Sequence, residues 1–314
     1  MVIGIDMMGG DFAPAQPVKG VKAFQQRFPQ TPLCLFGDEA LLLPLLQQEQ
    51  VSLDHITVVQ APEQIGMHEH PTKALKEKPN SSIAIGFGWL SQGKIDSFMS
   101  AGNTGAMLVG THFSIKALEG VLRPTISTII PKLGGGTSLL LDVGLNADCK
   151  PELLNQFAIM GSVYAKVMLG IEDPTVGLIN VGEEETKGNA LAQATYPLLK
   201  ENKQIRFVGN VEGRDVLTGK ADVMVCDGFT GNIILKMAES LYDIARDQQL
   251  DNPYLDRFNF ENYGGTPVLG VSKPVIIGHG ISGEKAFLNM LCLAQDMTAK
   301  QVMQQMSSAL ASQA

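Results

Sequence analysis

The sequence predicts an α/β fold built around a mostly parallel sheet. Short apolar runs, many with β-branched residues, alternate along the chain with amphipathic stretches of about ten to twenty residues, the pattern of successive βα units. The 314 residues suffice for one large α/β unit or for two modest domains. The 33 glycines, well above the usual share of about 7%, predict many turns where the backbone closely approaches itself or a ligand.

The first half of the chain alternates strands and helices in order. A strand at 2–6 leads to a helix at 14–28, which opens near Pro14 and repeats Val18, Val21 and Phe24 on one face. Apolar runs alternating with helical patterns then predict these elements in order: strand 33–37, helix 39–49, strand 55–60, helix 81–92, strand 97–100 and helix 104–118.

The second half begins with two apolar runs, 126–131 and 139–143, joined by a glycine triplet that favours a β connection. The βα pattern then resumes in this order: helix 151–169, strand 175–180, helix 188–200, strand 206–209, strand 222–226, helix 231–247, strand 275–278 and a closing helix 282–308. The irregular stretch 248–264 is read as either an exposed excursion that meets a partner or a packed surface loop.

Composition narrows the class of function. The net charge of -8 argues against a nucleic-acid partner. The four cysteines are too widely spaced for a CxxC pair and are read as small core residues in a reducing cytosol. No apolar run approaches the roughly 20 residues of a membrane span, and no secretory signal is expected, so a cytoplasmic protein is predicted.

Several predicted strand-to-helix turns carry glycine with polar residues: Gly9-Gly10-Asp11, Gly102-Asn103-Thr104-Gly105, Gly228-Phe229-Thr230-Gly231-Asn232 and His279-Gly280-Ile281-Ser282-Gly283. In an open parallel sheet such turns lie side by side at the carboxyl edge, where ligands bind. Each opens a helix, so free N–H groups and the positive helix end favour an anion. Ordinary N-capping explains any one turn alone, but several together favour a phosphate or a phosphorylated ligand.

Standard nucleotide and metal motifs do not fit. The GxxxxGK string ending at Lys94 lacks the required Ser or Thr and runs from helix to strand, which excludes a P-loop. No complete dinucleotide fingerprint and no GxSxG elbow is present, and the spacing of His68 and His70 does not suit a zinc site. We expect no cofactor and no metal.

Eight ordered strings resemble one family, the PlsX phosphate acyltransferases, over nearly the whole chain. They are IDMMGGDFAP at 5–14, SAGNTGAM at 100–107, LLLDVGLN at 139–146, GLINVGEEETKGN at 177–189, GNVEGRD at 209–215, DGFTGNIILK at 227–236, NYGGTPVLGV at 262–271 and PVIIGHG at 274–280. Met7 stands where the family usually has Ala, and the segment 248–264 is short beside the amphipathic hairpin of some relatives.

The resemblance implies an enzyme that makes acyl phosphate from acyl-[acyl carrier protein] and inorganic phosphate for bacterial phospholipid synthesis. It implies a three-layer α/β/α fold with a mostly parallel mixed sheet, similar to phosphotransacetylases and isopropylmalate dehydrogenases, in which 1–314 form one domain of two intertwined halves. It also implies a homodimer, a cytosolic protein that associates peripherally with the inner face of the membrane, and a downstream membrane glycerol-phosphate acyltransferase as partner.

The candidate catalytic residues are Lys187, Asn232 and His279. Lys187, in a turn that opens a helix, is a point cation suited to phosphate, and the resemblance marks the same position. Asn232 is expected to donate its amide N–H to phosphate or to the developing oxyanion, unless it is a structural cap. His279 is expected to orient phosphate or accept its proton, with a buried hydrogen-bonded histidine as the equal alternative.

The candidate phosphate-binding residues come from the glycine turns: Gly9, Gly10, Asn103, Thr104, Gly105, Thr230 and Gly231. Asn103 and Thr104 are equally well explained as helix caps. The strand-end carboxylates Asp6, Asp11 and Asp227 are read as caps or as groups that orient Lys187, since a carboxylate repels a bound anion.

An acidic carrier protein calls for a basic docking patch, and Lys73, Lys76 and Lys78 form the best local cluster, with a solvated surface as the favoured alternative.

Three other functions remain open: a phosphotransacetylase acting on short acyl-coenzyme A, an NAD-dependent dehydrogenase, and a non-catalytic scaffold for lipid-synthesis enzymes.

Overall fold

The computed structural model describes residues 1–311, and contacts within the chain divide it into two compact units. Unit 1 contains Met1–Lys116, Phe260–Pro267 and Val271–Ala299; unit 2 contains 117–259, 268–270 and 300–311. Each unit is therefore assembled from segments far apart in sequence. The predicted single domain of two intertwined halves stays a prediction, and residues 312–314 of that range lie outside the described part.

The elements follow the predicted alternation. The strands are β1 Ile3–Asp6, β2 Leu33–Gly37, β3 Ile56–Gln60, β4 Ser97–Ser100, β5 Thr125–Pro131, β6 Thr137–Leu141, β7 Thr175–Asn180, β8 Arg206–Glu212, β9 Val223–Val225, β10 Thr266–Leu269 and β11 Val275–Ile277. The helices are α1 Ala15–Arg27, α2 Glu39–Gln48, α3 Pro71–Glu77, α4 Ser82–Ser91, α5 Thr104–Ser114, α6 Pro151–Leu169, α7 Ala190–Glu201, α8 Gly228–Asp247, α9 Glu284–Ala299 and α10 Val302–Ala311.

Unit 1 holds five parallel strands in the order β3-β2-β1-β4-β11. Every residue of β1, β2 and β4 is buried, as expected for a parallel sheet covered on both faces. Helix α4 packs on β1, β2 and β4, and α1 packs against α9. A side chain at Gly86 would collide with the Phe98 ring, so glycine permits the close approach of α4 to the sheet.

Unit 2 holds a mixed sheet in the order β10-β5-β6-β9-β7-β8. Val268 and Leu269 of β10 pair antiparallel with β5, the β5–β6 pair is also antiparallel, and β6, β9, β7 and β8 are parallel neighbours. The long helix α6 packs on β6, β7 and β9 and contacts α7 and α10. The parallel strands bring their carboxyl ends to one edge, where α7 and α8 begin.

Some boundaries differ from those predicted. Helix α8 begins at Gly228 instead of 231, and the predicted closing helix 282–308 is two helices that meet near Gln301, whose φ is +52°. Helix α3 and strand β10 were not predicted at all, and α5 ends at Ser114. None of the helices within residues 1–311 has the length and apolar character to span a membrane.

Candidate active site

In unit 1, the loop after β1 is folded around the buried carboxylate of Asp6. Its Oδ2 accepts a hydrogen bond of 2.6 Å from the Ser100 hydroxyl, and its Oδ1 accepts one of 2.9 Å from the N–H of Met8. Burial raises the pKa of Asp6, although these hydrogen bonds oppose the shift. A side chain on Gly9 would collide with this carboxylate, and Gly10 takes a φ of +103°, so both positions require glycine.

The turn that carries His279 lies beside this loop. The N–H of Asp11 donates a hydrogen bond of 2.7 Å to the Gly280 carbonyl. The His279 carbonyl accepts hydrogen bonds from the N–H (3.0 Å) and the hydroxyl (2.6 Å) of Ser282. The His279 ring is partly exposed and packs at a tilt on Phe260, with the ring centroids 4.7 Å apart. Unit 1 therefore brings together the predicted Gly9–Gly10 and His279 turns.

The Asn103 side chain has a structural role. Its Oδ1 caps α5 by accepting a hydrogen bond of 2.9 Å from the N–H of Ala106, and its Nδ2 donates to three backbone carbonyls in the segment 66–69. Thr104 is exposed at the start of α5, and Gly105 leaves no room for a side chain against α3. These contacts support the capping interpretation of Asn103, and phosphate binding by the turn stays a prediction.

In unit 2, the loop after β6 is organised by one carboxylate. Asp142 is completely buried and accepts four hydrogen bonds of 2.7 to 3.1 Å, from the N–H groups of residues 144–146 and from the side-chain amide of Asn146. That amide also donates to the Pro124 carbonyl at 2.8 Å. A buried carboxylate with all of these partners holds the loop in one conformation.

This loop holds the first turn of α8. The Asn146 carbonyl accepts a hydrogen bond of 2.7 Å from the N–H of Gly228, and the Val143 carbonyl accepts one of 3.1 Å from Nδ2 of Asn232. A side chain on Gly231 would overlap the Asp142 carbonyl, so glycine is required for this close approach. The predicted turn at 228–231 is therefore the first turn of the helix.

Asp227 is the N-cap of α8, as predicted for the strand-end carboxylates. Its two oxygens accept hydrogen bonds from the N–H (2.8 Å) and the hydroxyl (2.9 Å) of Thr230. The Thr230 hydroxyl hydrogen is therefore engaged in the cap, although its oxygen can still accept a hydrogen bond.

Lys187 lies in a turn that is fixed by neighbouring amides. Its carbonyl accepts a hydrogen bond of 3.1 Å from Asn180, and Gln193 donates to the carbonyls of Thr186 (2.9 Å) and Gly188 (3.0 Å). Gly188 adopts a φ of +99°, which glycine allows at low cost. The Lys187 side chain is exposed, and its ammonium forms no ion pair with any of residues 1–311.

Two of the three acidic residues before Lys187 are paired with other lysines, whereas the exposed Glu184 forms no ion pair within residues 1–311. Glu183 forms an ion pair of 2.6 Å with Lys220, and Glu185 forms one of 2.6 Å with Lys200. The hydrogen bond from Lys200 lowers the pKa of Glu185, and the hydrogen bond to Glu183 raises the pKa of Lys220. Glu183 and Glu185 are therefore engaged by other lysines, and the Lys187 side chain stays exposed.

Helix α7 begins directly after this turn and adds unpaired N–H groups. Asn189 caps the N–H of Ala192 at 2.9 Å, whereas the N–H groups of Ala190 and Leu191 have no partner among residues 1–311. These N–H groups and the positive end of the helix dipole point to the space in front of α7, which is where an anion binds at a helix N-terminus. Lys187 therefore lies three residues before a helix start that carries two unpaired N–H groups, and phosphate binding there stays a prediction.

A cavity of about 300 Å³ opens between the first turns of α7 and α8. Polar lining comes from Asn180, Asn189, Asp227 and Thr230. The largest part of the lining is aliphatic and includes Leu154, Leu178, Leu191, Ala192 and Ile234. Of the predicted site residues only Thr230 lines it, while Lys187 and Asn232 are each within two residues of a lining residue.

The nearby cysteines are unsuited to act as nucleophiles. Burial, reinforced by the carboxylates of Asp142 and Asp227, raises the pKa of Cys149 to about 12. Burial also raises the pKa of Cys226, whose thiol lies 3.6 Å from the Asp142 carbonyl oxygen. Since the thiolate is the reactive form, neither residue is activated for covalent catalysis.

Two of the three lysines of the predicted docking cluster have acidic partners. Lys78 forms an ion pair of 2.6 Å with Glu69, and Lys73 lies 3.9 Å from Glu77. The solvated-surface interpretation therefore describes this cluster better.

The segment 248–264 is not a free excursion, because the Tyr254 hydroxyl donates a hydrogen bond of 3.2 Å to a carbonyl of β5. The packed-loop interpretation therefore describes this segment better.

Comparisons with known proteins agree with this description. The sequence matches the family described as Fatty acid synthesis protein over residues 1–305. The chain belongs to this family.

The phosphate acyltransferase of Halothermothrix orenii is 41% identical over 96% of this chain and 96% of its own, and that of Chlorobaculum parvum is 40% identical over 99% of both. The resemblance to phosphate acyltransferases is confirmed, and these relatives are enzymes. A phosphotransacetylase from Streptococcus pyogenes is similar in fold, with a TM-score of 0.69 and 15% identity over 96% of this chain and 94% of its own. A branched-chain phosphotransacylase from Enterococcus faecalis has a TM-score of 0.61 and 14% identity over 95% of this chain and 99% of its own. The predicted α/β fold class is confirmed.

Sequence reasoning missed the residues that position this site. Asp142 and Asn146 belong to one of the quoted strings, but their roles depend on contacts with α8 that local sequence does not show. Asn180 and Gln193 were missed for the same reason. The sequence signal that could have identified Asp142 is a polar residue directly after a buried strand.

Proposed function

We propose that this enzyme transfers a fatty acyl group from acyl-[acyl carrier protein] to inorganic phosphate and supplies acyl phosphate for phospholipid synthesis. The observation that carries the proposal is the exposed Lys187 in the turn before α7, two residues from Asn189 of the largely aliphatic cavity. A cation beside free N–H groups suits orthophosphate, and the cavity suits an apolar acyl group. The names of the relatives support transfer to phosphate.

In the proposed reaction, a phosphate oxygen attacks the thioester carbonyl and forms a C–O bond. Negative charge develops on the carbonyl oxygen, and the C–S bond then breaks to release the carrier thiolate. Because a thiolate leaves readily, catalysis depends on positioning and charge compensation rather than on a strong acid or a covalent enzyme intermediate.

The residues divide these tasks. Lys187 and the N–H groups of Ala190 and Leu191 hold the phosphate. One amide hydrogen of Asn232 is engaged by Val143, and the second is free to donate to the phosphate or to the oxyanion. The roles expected for His279, Gly9, Gly10 and Gly105, all of which lie in unit 1, stay predictions.

The test is phosphate-dependent release of carrier thiol by the purified protein. We expect release from long-chain acyl-[acyl carrier protein] and little from acetyl-coenzyme A. Lys187→Ala should lower turnover at least about tenfold, or roughly 1.4 kcal/mol of barrier. Lys203→Ala, which removes an exposed lysine from the loop after α7, is the matched control and should retain activity.

Other results would favour the alternatives. A strong preference for acetyl-coenzyme A would make the protein a phosphotransacetylase, the activity named for the proteins of similar fold. Turnover that persists with a chelator would exclude a metal-dependent dehydrogenase. No release from any donor would favour the scaffold.

We also propose a homodimer that uses an exposed apolar stripe on α8. Phe229, Ile233, Met237 and Ile244 are 47 to 69% exposed and lie on one face by helical periodicity. Such a stripe is typical of an interface, and the predicted partner is a second copy. Met237→Glu should yield monomers in sedimentation experiments, whereas Gln248→Glu, at the end of α8, should not; dimers of Met237→Glu would exclude this face.

Two further expectations accompany the proposal: a cytoplasmic protein peripheral to the membrane, and delivery of acyl phosphate to a membrane glycerol-phosphate acyltransferase. Fractionation of cells that express the chain tests the first, and co-purification tests the second.

A further inference from the structure

The cavity between α7 and α8 has a lining that phosphate binding does not explain. Orthophosphate needs donors and cations, yet Leu154, Leu178 and Ala192 contribute buried aliphatic surface. Val181 also lines the cavity while its side chain is 81% exposed, which places an apolar group at the opening. An apolar wall that reaches from the opening to the interior favours an apolar ligand group.

The position of the cavity identifies this ligand group. Its lining includes Leu191, which carries one of the two N–H groups proposed to hold phosphate, and Asn189, which precedes them; Lys187 lies two residues before Asn189. In a reaction between phosphate and a thioester, the group next to the reacting carbonyl is the acyl chain. We infer that this cavity binds the carbon atoms of the acyl chain nearest the carbonyl and thereby selects donors by chain length. This inference rests on the proposed function.

The volume of the cavity limits how much of the acyl chain it can bind. A cavity of about 300 Å³ accommodates only the part of a fatty acyl chain nearest the carbonyl, so the distal carbons of long chains lie outside it. The buried Cys226 and the Asp227 cap set its inner boundary beside α8.

Ala192 is the residue through which the depth can be changed. It is 8% exposed, lines the cavity and lies in the first turn of α7, where leucine is a helix former second only to alanine. Ala194, on the same helix, is exposed and does not line the cavity. Ala192→Leu therefore fills the cavity, and Ala194→Leu is its matched control.

The experiment compares kcat/KM for butyryl, octanoyl and palmitoyl thioesters of the carrier protein. Ala192→Leu should lower the values for octanoyl and palmitoyl donors at least about tenfold relative to butyryl, with an unchanged KM for phosphate. Ala194→Leu should keep the wild-type profile. Leu191→Ala, which enlarges the cavity, should shift the preference toward longer chains, so the test does not depend on the folding of one variant.

The outcomes separate the two ideas. If the wild type is active but the Ala192 and Leu191 variants change kcat/KM by the same factor for all donors, the cavity does not bind the acyl chain and the proposed function stands. If the wild type releases no thiol from any donor, the proposed function and this inference are both wrong.

Discussion

The side-chain amide of Asn232 donates a hydrogen bond of 3.1 Å to the carbonyl of Val143, and this bond ties the first turn of α8 to the loop after β6. The same loop is held from within by Asp142. Asn232 is therefore both part of a fixed backbone arrangement and the carrier of one free amide hydrogen.

Asn232→Asp keeps the shape of the side chain but removes the donor and adds a negative charge. We expect kcat to fall at least about tenfold, because the charge repels phosphate and the developing oxyanion loses a partner. The kcat of Asn232→Ala should fall by a similar factor. Steady-state kinetics with acyl-carrier donor measure both, and wild-type turnover in the Asp variant would remove Asn232 from the site.

Asp142→Asn tests the loop itself. The amide replaces one acceptor by a donor that faces N–H groups, so at least two of the four hydrogen bonds are lost. We expect the free energy of unfolding to fall by roughly 3 kcal/mol, measured by denaturant unfolding. Asp148→Asn, exposed nearby, is the control and should change it by less than about 0.5 kcal/mol. Equal stability of the two variants would contradict the assigned role.

Lys220→Met tests whether neighbouring ion pairs keep Lys187 available. The substitution frees Glu183, whose carboxylate then competes with phosphate for Lys187. We expect the phosphate KM to rise about threefold to tenfold while kcat changes little. The double variant Lys220→Met with Glu183→Gln should restore the wild-type KM. A double variant as impaired as Lys220→Met would show that Lys220 acts through structure instead.

Asp222 makes part of the stability depend on pH. Burial raises its pKa, but hydrogen bonds from Lys132 and from the N–H and hydroxyl of Thr175 outweigh burial and lower it. A carboxyl with a lowered folded pKa contributes stability above its unfolded pKa of about 3.9, and this contribution is lost as the pH falls through the folded pKa.

Asp222→Asn should therefore unfold more easily by roughly 2 kcal/mol at neutral pH, and the difference from wild type should shrink below about pH 4. Asp173→Asn, from an exposed pair with Arg206, should cost less than about 0.5 kcal/mol. Denaturant unfolding across this pH range measures both; a difference that grows in acid would contradict the assignment.

Elements with strong periodicity were predicted closely. The strand at 33–37 and the helix at 151–169 have the predicted bounds, since an apolar run between turn residues and a long amphipathic pattern are local signals. The predicted start of α8, at 231, is three residues too late, because glycine is a poor helix former and the first turn contains two glycines. Gly228 and Gly231 lie in the helix because side chains there would collide with Asn146 and Asp142.

The site was predicted only in part, for a similar reason. Lys187 and Asn232 could be named from their turns, and their roles remain predictions. The cavity between α7 and α8 could not be found, because Leu154 and Ile234 approach it from helices far apart in sequence. The pairing of Lys78 with Glu69 likewise depends on the fold, so the sequence overstated the basic patch.

Calorimetric titration with orthophosphate tests the central claim most directly. We predict a saturable binding heat for the wild type and for Lys203→Ala, and at least about tenfold weaker binding for Lys187→Ala. No saturable heat with the wild type, or equal affinity in the wild type and Lys187→Ala, would contradict the claim that Lys187 holds the attacking phosphate.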